Sequence, residues 1–224
     1  MDRERATAAL AELLDTVLVL RGPGGCEWDR SQTVASLRPF LLEEAYEVAE
    51  AAEEGDWEAL RSELGDLLLH ILLDAVIADE EGRFDLAQVA DGIRAKLVRR
   101  HPHVFGAVDA LSPGEVERQW ERIKSGEKGR GGFFDSIPAA MPALQTAWRI
   151  QQRAADLGYE GREGDATPGL REIVADADAD AGTDGIGRLL FEIVDYARIR
   201  GHEPEAALRK ACRSFMDGLE GWRG

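Results

Sequence analysis

The sequence predicts an all-α protein of helix hairpins packed as bundles, and three observations carry that reading. Strong helix formers (Ala, Leu, Glu and Arg) dominate, and β-branched runs are short. Apolar residues recur at three- and four-residue steps along most of the chain. Helix stops and starts, such as Gly55-Asp56, Gly82 and His101-Pro102, divide the amphipathic stretches into hairpin-sized pieces.

The first helix is expected over about 5–20, with Leu10, Leu13, Leu14, Val17 and Leu18 along one stripe. The segment 21–32, RGPGGCEWDRSQ, is rich in glycine and turn formers and reads as a loop. A second helix starts near Ser36, with Pro39 in its first turn where a missing N–H costs little, and stops at Gly55. Asp56 is a natural N-cap for the third, to about Asp79, whose Leu60, Leu64, Leu67, Leu68, Ile71 and Ala75 form an apolar face. A fourth covers about 85–100, and a shorter one about 113–124. The charged, glycine-rich run SGEKGRGG (125–132) is the best linker in the chain. Three more helices are expected near 138–157, 167–181 and 185–200, and a last one over about 204–219. LGDLLLHILLDA (64–75) resembles IGRLLFEIVDYA (186–197), a weak internal repeat in which the second half reads as a worn copy of the first.

The chain has 224 residues, with 27 Lys+Arg against 43 Asp+Glu and a formal net charge of −16. That length supports one sizeable core or two small ones without staples. The two cysteines, Cys26 and Cys212, form no CxxC pair and no metal spacing, so neither a disulfide framework nor a zinc site is expected. No apolar run reaches the roughly 18–20 residues of a membrane span. The charged start MDRERATAAL is followed by no signal-type run, which makes the cytoplasm the expected location. The acidity argues against nucleic acid as a partner, since a phosphate backbone binds net positive surface.

Carboxylates are focused in one place. LLEEAYEVAE (41–50) carries Glu43, Glu44 and Glu47, and SELGDLL (62–68) carries Glu63 and Asp66. The three glutamates share one helix face, and the other two acids lie one turn apart. Glu47 and Glu63 each stand eight residues from Gly55, and Glu44 and Asp66 each stand eleven. A hairpin pivoting there sets Glu47 opposite Glu63 and Glu44 opposite Asp66, about 12–17 Å from the turn. Four converging carboxylates repel one another unless a cation neutralises them, and oxygen-only donors suit Mg²⁺ or Mn²⁺. The competing reading of each acid, taken singly, is a solvated helix residue.

Downstream, Lys96 and Arg100 lie four apart on one helix face beside Arg99, where cations also favour the dipole of a helix C-terminus. Next to a metal site they form a clamp for the far end of a polyanion such as a triphosphate. Trp120 and Lys124, again four apart, offer a stacking surface and another cation, although Trp120 also suits a core position. His70 lies one turn beyond Asp66, as an outer ligand or as a polar filler of the helix edge; His101 and His103 flank Pro102 and shape its turn. There is no Glu-x-x-His pair of a di-iron bundle and no phosphate-binding G-x-x-x-x-G-K-[ST] loop.

These residues resemble the MazG family of nucleoside triphosphate pyrophosphohydrolases, all-α enzymes that need a divalent metal. The signature Glu-Glu-x-x-Glu, spacer, Glu-x-x-Asp stands as Glu43-Glu44-Ala45-Tyr46-Glu47 and Glu63-Leu64-Gly65-Asp66. GCEWDRSQT (25–33), EEGRFD (80–85), RRHPHVF (99–105), WERIK (120–124) and IQQRAADLGY (150–159) match in the same order, so the resemblance covers about residues 8–160. It implies hydrolysis of NTPs or dNTPs between the α- and β-phosphates, giving NMP and pyrophosphate, with nucleotide-pool sanitation as the role. It implies Glu44, Glu47, Glu63 and Asp66 as Mg²⁺ ligands, Lys96 and Arg100 at phosphate-contacting positions, and Trp120 and Lys124 near the nucleotide. Glu43 and Glu47 are the expected catalytic carboxylates, Glu43 as the acid that orients or deprotonates the water. Family members commonly complete their bundles across a homodimer.

The second half departs from the signature. Gly185-Ile186-Gly187-Arg188 stands where Glu-x-x-Asp belongs, the helix 171–181 lacks Glu-Glu-x-x-Glu, and Ser214 and Gly218 occupy the counterparts of Lys96 and Arg100. An arginine there removes a ligand and puts a cation where the metal belongs. The expected organisation is a catalytic domain over 1–124, a linker over 125–137 and a degenerate, non-catalytic domain over 138–224. Two rivals stay open: a related pyrophosphatase acting on dUTP or another nucleotide, and a non-catalytic acidic helical module for nucleotide binding or dimerisation.

Overall fold

The computed structural model describes residues 1–106, 137–156 and 183–222, the last helix with side chains to 216, and single positions at 112, 114–116, 119–120, 123, 134 and 158. It divides into two compact units, Met1–Glu127 and Lys128–Gly224. The described residues form helices and turns, with no strand among them.

The first unit contains α1 (Arg3–Arg21), α2 (Glu27–Ser31), α3 (Val34–Glu54), α4 (Trp57–Glu80), α5 (Leu86–Arg100) and α6 (Pro102–Phe105). Short-range chemistry sets the ends. Asp56 accepts from the backbone N–H groups of Glu58 and Ala59 to start α4. Gly55, at φ 71°, closes α3 in a left-handed turn that a side chain would strain. These adjoining signals fold α3 and α4 back on each other as the most extensive helix pair of the unit.

Two boundaries differ from the sequence expectation. Thr33 and Ser36 cap each other's backbone, so α3 begins at Val34 and Ser36 is its third residue rather than its start. Inside the expected loop 21–32, the five residues of α2 form a short helix with Glu27 and Asp29 in its first turn, where negative charge suits the dipole.

The core holds Val17, Leu37, Leu72, Leu73, Val76 and Ile77, flanked by Leu13, Leu14, Leu68, Leu69 and Leu86. It therefore sits where α1, the start of α3 and the second half of α4 meet. Leu64 and Ile71 of α4, assigned by spacing to the buried stripe, lie outside it and remain exposed, as do Val89, Ile93 and Leu97 on α5.

In the second unit the described helices are α7 (Ala143–Asp156), α8 (Thr183–Ile199) and α9 (Pro204–Trp222). The helix expected over 138–157 starts at Ala143, because Pro142 precedes it and Pro138 to Met141 close a turn. Val194 is fully buried, and the buried Gln151 donates to the Phe191 carbonyl at 2.7 Å, tying α7 to α8. Positions 114–116, 119–120 and 123 of the expected short helix are helical; the expected helix over 167–181 and most of the expected linker lie outside the described residues.

Candidate metal and nucleotide site

The α3–α4 hairpin brings Glu44, Glu63 and Asp66 together, with one carboxylate oxygen from each within 4.8 Å of the others. Glu44 and Glu63 are half-buried and Asp66 is exposed. Partial burial and the negative charges of Glu47, Asp66 and Glu63 push the Glu44 carboxyl above its ordinary value, and a side-chain hydrogen bond with Glu47 acts in the same direction. The site thus stores repulsion that a cation relieves. Oxygens this close also fit around a single hard cation, which binds each at about 2.0–2.6 Å.

Glu44 meets both Glu63 and Asp66, while Glu47 stands outside that trio and beside Glu44. Glu43 is exposed, on the same turn of α3. Among the described residues no second group of three potential ligands occurs, and Arg188 is exposed on α8.

Of the expected phosphate-contacting residues, Lys96 is exposed on α5 and Arg100 lies with its guanidinium 5.0 Å from the Trp120 ring centroid. Trp120 is half-buried, and His101 meets it nearly edge-on at 4.9 Å. Arg100 and Trp120 are therefore brought together, as a cation–π pair. His101 ends α5, with Nδ1 2.7 Å from the Leu97 carbonyl oxygen, and its ring lies 5.5 Å from that of His103 across Pro102. Lys124 lies outside the described residues.

His70 is not one of the trio. It is buried on α4, and its ring stacks on Phe40 of α3 at 6.3 Å with 4° between the planes. Sequence reasoning missed this aromatic rung, although the spacing signals it: Phe40 lies four residues before Glu44, and His70 four after Asp66.

One turn further, burial raises the Asp74 carboxyl above its ordinary 3.8, only partly countered by His70, and Asp74 Oδ1 has no hydrogen-bond partner. A raised carboxyl contributes stability that is fully present below its unfolded value and is lost as pH rises through its folded one. Asp74→Asn should therefore melt above the wild type at pH 7.5, with the gap shrinking towards pH 4. A lower melting temperature at pH 7.5 would contradict this.

A model of the MazG nucleotide pyrophosphohydrolase domain matches residues 32–105, the segment that contains the acidic hairpin and α5. The chain is 41% identical over 213 residues to the Thermotoga maritima nucleoside triphosphate pyrophosphohydrolase/pyrophosphatase MazG, covering 92% of this chain and 82% of that protein. It is 39% identical over 217 residues to the nucleoside triphosphate pyrophosphohydrolase of Escherichia coli K12, covering 91% and 82%. A crystal structure of a mazG-related protein from Thermotoga maritima aligns at 29% identity and a TM-score of 0.44, covering 53% of this chain and 98% of that one. With this similarity running through both units and the acidic signature assembled on one hairpin, the chain belongs to the MazG family of nucleotide pyrophosphohydrolases.

Proposed function

We propose that the chain hydrolyses nucleoside triphosphates between the α- and β-phosphates, releasing NMP and pyrophosphate. The convergence of Glu44, Glu63 and Asp66 on one hairpin carries this reading, because it supplies a hard-cation site inside the segment matched by the family. These three residues, with Glu47 alongside, hold Mg²⁺ or Mn²⁺. A bound divalent cation supplies charge neutralisation on the phosphates and a more acidic water.

The remaining work falls to the chain. Water attacks the α-phosphorus, its proton passes to a carboxylate, and the bond to the bridging oxygen of the leaving pyrophosphate breaks. Glu43, exposed on the same turn as Glu44 and not among the trio, orients that water and accepts the proton. Lys96 and Arg100 offset charge on the departing pyrophosphate. Trp120 and Lys124 lie near the nucleotide, Trp120 through the cation–π pair that fixes the Arg100 guanidinium.

The exposed apolar residues of α4 and α5, Leu64, Ile71, Val89, Ile93 and Leu97, support a homodimer in which a second copy covers them. The reaction suits clearance of unwanted nucleotides in the cytoplasm.

The test is chromatography of products after incubation with each NTP and with dUTP, with and without Mg²⁺. Metal-dependent NMP and pyrophosphate are expected. NDP and phosphate would overturn the bond assignment. Metal-dependent thermal stabilisation without turnover would favour a non-catalytic nucleotide-binding module instead.

A further inference from the structure

Two neighbours in sequence, Arg100 and His101, meet the same indole. On a regular helix successive side chains point about 100° apart, so one ring does not ordinarily collect both. Pro102 lifts that constraint. It disfavours helical geometry at the residue before it, and His101 leaves α5 at φ −121° and ψ 58°. The Arg100 guanidinium then lies 5.0 Å from the Trp120 ring centroid, and the His101 ring lies 4.9 Å from it at 66°. His101 is itself pinned. Its Nδ1 stands 2.7 Å from the Leu97 carbonyl oxygen, which can only accept, so Nδ1 carries the proton and donates. The half-buried His103 adds another ring, 5.5 Å from that of His101.

From this arrangement we infer that His101 is a positioning residue for Arg100, acting through Trp120. The inference rests on the activity proposed above, in which Arg100 offsets charge on the departing pyrophosphate, and adds the group that holds it in place. A cation–π contact aims a guanidinium only as well as its ring is held. Trp120 is half-buried, so its surroundings leave part of the ring open. The imidazole standing nearly edge-on to it restrains the indole, because such aromatic pairs are directional as well as attractive. The contacts run from the Leu97 carbonyl through His101 and Trp120 to Arg100, and so start and end on α5. They tie the guanidinium to the helix that also carries Lys96, and both cations reach pyrophosphate from one rigid element.

The test is calorimetric binding of pyrophosphate with Mg²⁺ to the full chain, read beside steady-state hydrolysis of ATP. His101→Asn keeps a donor near the place of Nδ1 for the Leu97 carbonyl and removes the ring. It should bind pyrophosphate about 5-fold more weakly than the wild type and lower kcat/KM for ATP to match. Calorimetric stoichiometry counts the folded molecules, so partial unfolding cannot pass for lost affinity. In an Arg100→Met background the same His101→Asn change should cost nothing further, because its effect runs through the guanidinium. Unchanged pyrophosphate affinity in His101→Asn, or an equal loss with and without Arg100, would overturn the positioning role while leaving the activity standing. Wild type that shows this coupling but releases NDP and phosphate from ATP would overturn the bond assignment and leave the positioning role standing. Wild type that neither binds pyrophosphate nor hydrolyses ATP would overturn both.

Discussion

Asp66→Asn should lower metal-dependent kcat/KM by at least about 100-fold: in the proposed function it removes a carboxylate ligand from the cation, and loss of even an outer partner costs 10–100-fold. The same substitution should leave the metal-free protein as stable as the wild type or slightly more so. Asp66 is exposed and lies within 4.8 Å of Glu44 and Glu63, so its charge adds repulsion and no packing. Its negative charge is one of the causes that raise the Glu44 carboxyl, and the amide removes it. Mg²⁺ should raise the wild-type melting temperature by binding only the folded hairpin, and should do so much less for the variant. Melting curves with and without Mg²⁺, read beside steady-state rates, check both halves. Full activity in Asp66→Asn would remove it from the metal site, and a large metal-free destabilisation would mean that it holds the hairpin together.

Opposed responses of activity and stability follow from where the trio sits. Leu37, Glu44 and Ala51 are seven residues apart on α3, and Leu37 and Ala51 are buried against the rest of the unit. On α4, Glu63 precedes the buried His70 by seven and Ile77 by fourteen, and Asp66 precedes the buried Leu73 by seven. The acids thus continue the stripes that elsewhere form the core, where patterning alone places apolar side chains. Local rule and site conflict here, as expected where a fold gives up stability for chemistry.

That stripe also explains what the sequence disclosed and what it hid. Helix ends at Gly55, Asp56 and Asp85 were legible because each depends on a few adjacent residues. Counting outward from Gly55 gave the heights of the acids along the hairpin, and hence their convergence. It could not give the rotation of each helix about its axis, and so did not show that Glu44 meets both Glu63 and Asp66. The seven-residue spacing of Glu44 from Leu37 and Ala51 carried that information. The contact of Trp28 with Phe40 stayed hidden for another reason: α2 brings Trp28 in from a segment read as loop.

Truncating Arg21 should be the most damaging change outside the apolar core. Its side chain is 5% exposed, and its guanidinium pairs with both carboxylate oxygens of Glu80, at 3.1 and 2.6 Å. The same group donates to the backbone carbonyls of Asp29 and, at 3.5 Å, Gln32. One residue therefore ties the end of α1 to α2, to the residue that leads into α3, and to the end of α4. Arg21→Met keeps much of the apolar stem but removes the guanidinium from both carbonyls, leaving Asp29 only the Gln32 backbone N–H as donor, and should cost about 2–4 kcal/mol. Glu80→Gln should cost less, since Glu80 is 46% exposed and water replaces part of the pair. The pH dependence separates the two partners. Hydrogen bonding to Arg21 holds the Glu80 carboxyl below its ordinary 4.5, so its contribution is present above that value and is lost as pH falls through the folded one. Wild type should therefore lose its advantage over Glu80→Gln as pH falls below 4.5, while its advantage over Arg21→Met should persist in part, because the carbonyl contacts do not titrate. Denaturant melts of the three proteins at pH 7 and pH 3.5 would measure this. If both gaps vanished together at low pH, the ion pair alone would account for Arg21, and its carbonyl contacts would contribute nothing to holding α2 in place.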